Sequence, residues 1–171
     1  VIYDGSTSSV MIPLLNPAIP RLPSPTTSDY GIMHNKFIIF DADSSDPNTP
    51  WVGTGFTNWT AVQIDGPDKN NAIAIQDQAL AQAYKTEFEE MWGSNTLTPN
   101  TTLSKFGPYK TDNTPHNFVI GGKVVNAYFS PSDGVTAKII NVINSANTDI
   151  EIADMLITRD DIRDALINKY N

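Results

Sequence analysis

The chain has 171 residues, 40% of them hydrophobic, and no cysteine. That is enough chain to bury one core and a fraction more, and it excludes disulfides, thiolate chemistry and Cys-ligated zinc. The formal net charge of −8 disfavours a broad basic surface for duplex nucleic acid, which binds by neutralising phosphates with Lys and Arg, yet it is compatible with a local cationic pocket. No run of about 18 apolar residues is present to span a bilayer, and the lack of cysteine leaves the compartment open, secreted or periplasmic locations included.

In chain order, Val1-Ile2-Tyr3 reads as the end of a strand and Asp4-Gly5-Ser6-Thr7 as a turn, so the chain is expected to enter an element already in progress. A short helix is expected over residues 8–15, followed by loop or edge strand broken by Pro13, Pro17, Pro20, Pro23 and Pro25. Met33 to Asp41 then reads as a central strand. Phe37, Ile38, Ile39 and Phe40 suit a sheet buried on both faces, and alternation projects His34 and Lys36 to one side with Asp41 opposite. A titratable imidazole beside a permanent cation suits an anionic substrate. The alternative is a satisfied core histidine beside a snorkelling lysine.

Residues 43–50 form a polar loop returning into Trp51-Val52-Gly53-Thr54-Gly55, a hairpin whose glycines point to a bulge or a close backbone approach. Asn58 follows, where its amide can donate to a phosphoryl oxygen or cap a turn. Residues 71–75 alternate as a strand, and Asp77 is expected to cap a helix whose Leu80, Tyr84, Phe88 and Met91 face the core. Gly93 ends that helix, and residues 94–117 read as a linker containing His116, a surface or linker histidine with no lysine two residues on. From Lys123 the pattern restarts. A strand is expected over Val124–Phe129, then Ser130-Pro131-Ser132-Asp133 opening a helix with Val135, Ile139, Val142, Ile143 and Ala146 on one face. A strand over Asp149–Thr158 and a capping box of Thr158 with Asp161 lead into a last helix presenting Ile162, Ala165, Leu166 and Tyr170. The class is α/β, a mixed β-sheet flanked by helices.

His34-x-Lys36 followed after four residues by Asp41, then Gly55-Phe56-Thr57-Asn58, Asn70-Asn71-Ala72-Ile73-Ala74-Ile75 and the helix through Trp92, resembles the phospholipase D superfamily in four segments and in the right order. Its HKD motif is followed by a Gly-Ser-x-Asn segment. The resemblance implies a phosphodiester hydrolase in which two such motifs meet: one histidine attacks phosphorus to form a phosphohistidine, the other protonates the leaving oxygen, and no metal or organic cofactor takes part. His34 is then nucleophile or acid, Lys36 and Asn58 bind phosphoryl oxygens, and Asp41 and Gly55 support the motif. Two departures stand out. Phe56 occupies the serine position with Thr57 one residue out of register, and Asn70-Asn71 stands where many members carry a carboxylate, so Thr57 and Asn70 are secondary candidates.

On the same resemblance, residues 1–93 are the later part of a first half, 94–122 a linker and 123–171 the truncated start of a second half of a two-repeat protein. The substrate is a phospholipid or nucleic acid. The second motif is expected beyond this chain or from a homodimer partner, so that a monomer of this chain is not a working enzyme. The rivals are a catalytically silent interaction domain, which Phe56 filling the cleft would signal, and a single-motif nuclease acting as a homodimer.

Overall fold

A computed structural model describes residues 1–7 and 9–170. They form two compact units, Val1–Ala127 and Tyr128–Asn171. The first is built on a three-stranded antiparallel sheet of β3 (Phe37–Phe40), β4 (Trp51–Gly55) and β5 (Ala72–Gln76), in the order β3-β4-β5 and preceded by a two-residue parallel pairing of β1 (Ile2–Tyr3) with β2 (Leu22–Pro23). Between β4 and β5 lies the single-turn helix α1 (Ala61–Ile64).

The sheet is completed by α2 (Gln78–Trp92). Asp77 starts it by accepting the Leu80 amide at 2.8 Å, a cap that contributes about 1 kcal/mol. The helical spacing then places Leu80, Ala81 and Ala83 with Val52 of β4 and Phe118 in one buried cluster, while Met91 and Trp92 join Leu22 and Phe106 in a second. Residues 94–117, expected as a linker, run back along α2. Besides Phe106, this return is fixed by Lys110, whose ammonium lies 2.5 Å from Glu87 with both side chains buried. Glu90 accepts from the Thr111 amide and hydroxyl.

The return ends in a hairpin of β6 (Asn117–Ile120) and β7 (Lys123–Asn126). Its two-residue turn, Gly121-Gly122, has φ of 56° and 75°, the conformation a tight hairpin turn requires and glycine adopts without steric cost. The expected strand from Val124 therefore stops at Asn126 instead of reaching Phe129, and its partner β6 was hidden in the presumed linker. Near the start, only a 3-10 turn, Ile12–Leu14, forms where a helix was expected, with Pro13 inside it; Ser8 lies outside the described residues.

The second unit consists of α3 (Val135–Ser145) packed on α4 (Asp160–Tyr170), with Ile143 and Ala165 buried and the Lys169 ammonium donating to the Asn144 carbonyl at 3.0 Å. The expected face of α3 is only partly covered, since Ile139 and Val142 remain exposed, as does Tyr170 of α4. The expected strand over Asp149–Thr158 is absent. Its alternation is real, but a strand exists only through its ladder, and among the described residues no neighbouring strand pairs with it. The Thr158–Asp161 box does not form either. Asp161 accepts instead from the Arg159 guanidinium at 3.0 and 2.6 Å.

Candidate active site

The sheet register gathers the motif residues at one end. Phe37 pairs with Thr54 and Gly55 with Ala72, so the residues just before β3, just after β4 and just before β5 share an edge. His34 and Lys36 enter there, Gly55 to Asn58 leave there, and Asn70-Asn71 return there. Asp41 sits at the opposite end of β3, five residues from Lys36 and so about 16 Å away at strand rise. It is exposed with φ of 53°, and its carbonyl accepts from the Ser44 amide at 2.8 Å, which turns the chain into the 43–50 loop.

Residues 33–36 are not in the strand, which begins at Phe37, and among the described residues β3 is an edge strand rather than a central one. The alternation that was to set His34 and Lys36 on one face therefore does not govern them. They are held by other means. The Met33 amide donates to Asp4 Oδ2 at 2.8 Å, Asn35 Nδ2 approaches Met91 Sδ at 3.7 Å, and Thr54 Oγ1 donates to the Lys36 carbonyl at 3.1 Å. Phe37 meets Tyr84 edge-on at 5.2 Å between ring centroids. Burial raises the pKa of Tyr84, opposed by its hydrogen bond with Thr54. A side chain from β1's end, one from β4 and two from α2 thus fix the approach to β3.

Within this frame the His34 ring is exposed and has no hydrogen-bond partner among the described residues. Lys36 is half-buried, and its ammonium donates to the His34 carbonyl at 2.8 Å. Burial lowers its pKa from the ordinary value. A partly dehydrated ammonium tied to one carbonyl retains two further protons for an anion.

Gly55 marks a close approach between strands. Its φ is 154°, and a Cβ added there would meet the Asn71 carbonyl oxygen at 2.4 Å and the Ala72 Cα at 2.8 Å. Past it, the Phe56 amide and the Thr57 hydroxyl both donate to that same Asn71 oxygen, at 3.1 and 3.2 Å. Asn58 is fixed through its backbone, whose amide donates to Gln63 Oε1 at 2.7 Å, while its side-chain amide is unpaired among the described residues. Asn70 Nδ2 donates to the Gln63 carbonyl at 3.4 Å. Thr57 and Asn70 are thereby engaged in holding the loop, and Asn58 keeps free donors. Phe56 is 74% exposed, so it does not fill a cleft at this edge.

His116 is remote in function from this edge. It is half-buried, with Nδ1 3.0 Å from the Ala127 carbonyl oxygen and Nε2 2.9 Å from Asp112 Oδ1, so it clamps the β6–β7 hairpin to the chain before it. The supports that sequence reasoning missed are Asp4, Thr54, Tyr84, Met91 and Gln63. Only Gln63, five residues from Asn58, was close enough along the chain to leave a local signal.

Comparison with known proteins bears on the same segment. Residues 11–92 match a family model described as cardiolipin synthase, PLD-like domain. Two curated relatives, the mitochondrial cardiolipin hydrolases of Xenopus tropicalis and Xenopus laevis, are 36% and 37% identical over 62 residues. That overlap is 36% of this chain and 26% of each relative, so the chain spans about a quarter of the length of the curated relatives it matches.

Proposed function

Residues 11–92 belong to the phospholipase D superfamily, and from that premise we propose that this chain carries one half of a phosphodiester hydrolase that works through a phosphohistidine on His34. The observation that carries the reading is the unpaired imidazole of His34 beside the half-buried Lys36, at the same sheet edge as the free Asn58 amide. In the first step the His34 nitrogen attacks phosphorus, the bond to the leaving oxygen breaks, and Lys36 and Asn58 stabilise charge on the phosphoryl oxygens. A second histidine gives the leaving alkoxide its proton and then activates the water that cleaves the phosphorus–nitrogen bond. The only lysine two residues after a histidine here is Lys36, so the second motif comes from a further part of a two-repeat polypeptide or from a second copy. The strand–helix pattern that the sequence restarts from Lys123 favours the two-repeat route, although among the described residues only the hairpin strand β7 and the helices α3 and α4 of it form. Asp41 acts at the far end of β3 by shaping the turn, and Gly55 by permitting the close approach of β4 and β5.

A lipid phosphodiester is the favoured substrate, because the relatives are named for cardiolipin and the net charge of −8 opposes a polyanion. Exposure of Phe56 supports chemistry over a silent interaction domain, since the ring leaves the edge open.

The test separates the first step from the second. A 4-nitrophenyl phosphodiester expels a weakly basic phenolate that needs no acid, so the chain alone should release a burst of one nitrophenolate per His34 and retain an acid-labile phosphoryl label. A phospholipid, whose alkoxide needs protonation, should not be turned over by the monomer. No burst and no label would overturn the phosphohistidine assignment. Phospholipid turnover by a proven monomer would overturn the need for a second motif, and an active dimer would select the two-copy route.

A further inference from the structure

The loop after β4 is apolar where a loop is ordinarily polar. Phe56, Trp59, Val62 and Ile64 are 74, 70, 57 and 60% exposed, and no charged residue occurs between Asp46 and Asp65. The segment is folded on itself: Asn58 is tied to Gln63, the Thr60 amide donates to the Asn58 carbonyl at 2.8 Å, and the Ile64 amide donates to the Thr60 carbonyl at 2.9 Å as α1 forms. Four large exposed apolar side chains therefore fall within nine residues of one tightly tied loop, a knuckle that also carries Asn58. Single exposed apolar residues are ordinary, but a group of them in one folded loop marks an interaction site.

We propose that this knuckle is a lipid-interface contact, in which Trp59, Val62 and their neighbours enter the headgroup boundary and bring a bilayer-borne phosphodiester to the sheet edge. The proposal rests on the reading of His34, Lys36 and Asn58 given above and names the surface from which their substrate is taken. Charge selects the occupant. A nucleic acid needs Lys or Arg to neutralise its phosphates, and the knuckle has none. A neutral loop of Trp, Phe, Val and Ile matches the boundary between headgroups and acyl chains, where tryptophan's apolar body and polar N–H are both accommodated. Continuity with the site is the second argument, because Phe56 and Trp59 flank in the chain the residue, Asn58, whose amide would hold the phosphoryl group. Charged Asp65, Asp68 and Lys69 follow only where the loop turns back toward β5.

The full chain is mixed with neutral phosphatidylcholine vesicles and followed by co-sedimentation and tryptophan emission at high ionic strength. The wild-type chain should partition to the vesicles and shift its emission to the blue. Trp59→Phe should bind similarly but lose most of the shift, since Trp51 and Trp92 lie outside the knuckle. Trp59→Ser combined with Val62→Ser should lower partitioning by about tenfold or more without changing the nitrophenolate burst. Failure of the wild-type chain to bind vesicles, or binding that survives the double substitution, would overturn the proposal. So would emission changes produced by single-stranded oligonucleotide and not by vesicles, or a dimer that the double substitution dissociates. A wild-type chain that gives the burst but does not bind vesicles defeats the lipid contact alone, whereas vesicle binding with no label on His34 defeats the phosphohistidine reading alone.

Discussion

Residues 72–77 and 149–161 are written in nearly the same local terms: an alternating apolar run, polar residues able to cap, then an amphipathic helix. In the first unit that run becomes β5, because β4 lies beside it in register from Trp51↔Gln76 to Gly55↔Ala72. Its helix α2 is capped by Asp77 and buried along one face. In the second unit the same grammar yields irregular chain with Ile152, Met155 and Leu156 exposed, and a helix whose first acidic residues pair with Arg159 and Arg163. Alternation states which face a strand would bury, but only an adjacent strand's backbone groups make it one.

The widest separation between the two regions should appear in chemistry. His34→Ala is expected to reduce the nitrophenolate burst by at least about a thousandfold with an unchanged circular dichroism spectrum, while Ile152→Ala should leave the burst intact. A retained burst in His34→Ala would remove the distinction. Next in size is packing. Leu80→Ala, at a position 2% exposed, should destabilise the first unit by about 3 kcal/mol in denaturant titration, whereas Met155→Ala, 91% exposed, should stay within about 0.5 kcal/mol. A smaller contrast lies at the helix starts. Asp77→Ala should cost about 1 kcal/mol, and Thr158→Ala should be silent because no box forms there.

The finest effect is in pH. Burial raises the carboxyl of Asp4, but hydrogen bonds from Ser6, Met33 and Thr7 outweigh it and hold its pKa below the ordinary value. A depressed carboxylate contributes stability that is fully present above its unfolded pKa and is lost as pH falls through the folded one. The wild-type chain should therefore lose an acid-side increment of melting temperature that Asp4→Asn lacks. Identical acid profiles would show that the Asp4 to Met33 bond contributes nothing.

The parts legible in the sequence were those whose cause lies within a few residues. Asp77 and Gly93 bracket α2, the hairpin of β3 and β4 follows from its polar loop, and the family resemblance drew attention to His34, Lys36 and Asn58 together. What was not legible has causes far along the chain. Met33 is held by Asp4 and Lys36 by Thr54, contacts between side chain and backbone that leave no periodicity, so residues 33–36 read as strand when they precede it. Hairpin β6–β7 did carry a local sign in Gly121-Gly122, but the polar residues before Asn117 outweighed it. Phe106 and Lys110 are isolated in a Thr- and Pro-rich stretch, and nothing local says that α2 will bury them.

The pair of Lys110 with Glu87 bears on where the chain can be cut. The family match ends at Trp92, and a fragment trimmed there would still contain Glu87, now with its carboxylate on a helix face stripped of its counter-ion and of Phe106. Lys110→Ala in the full chain, which leaves that carboxylate buried without its ammonium, should cost about 3–5 kcal/mol, a large part of what holds a small domain together, and the trimmed fragment loses both this pair and the cover that Phe106 gives Met91 and Trp92. Any minimal version of the first unit must therefore extend through Lys110.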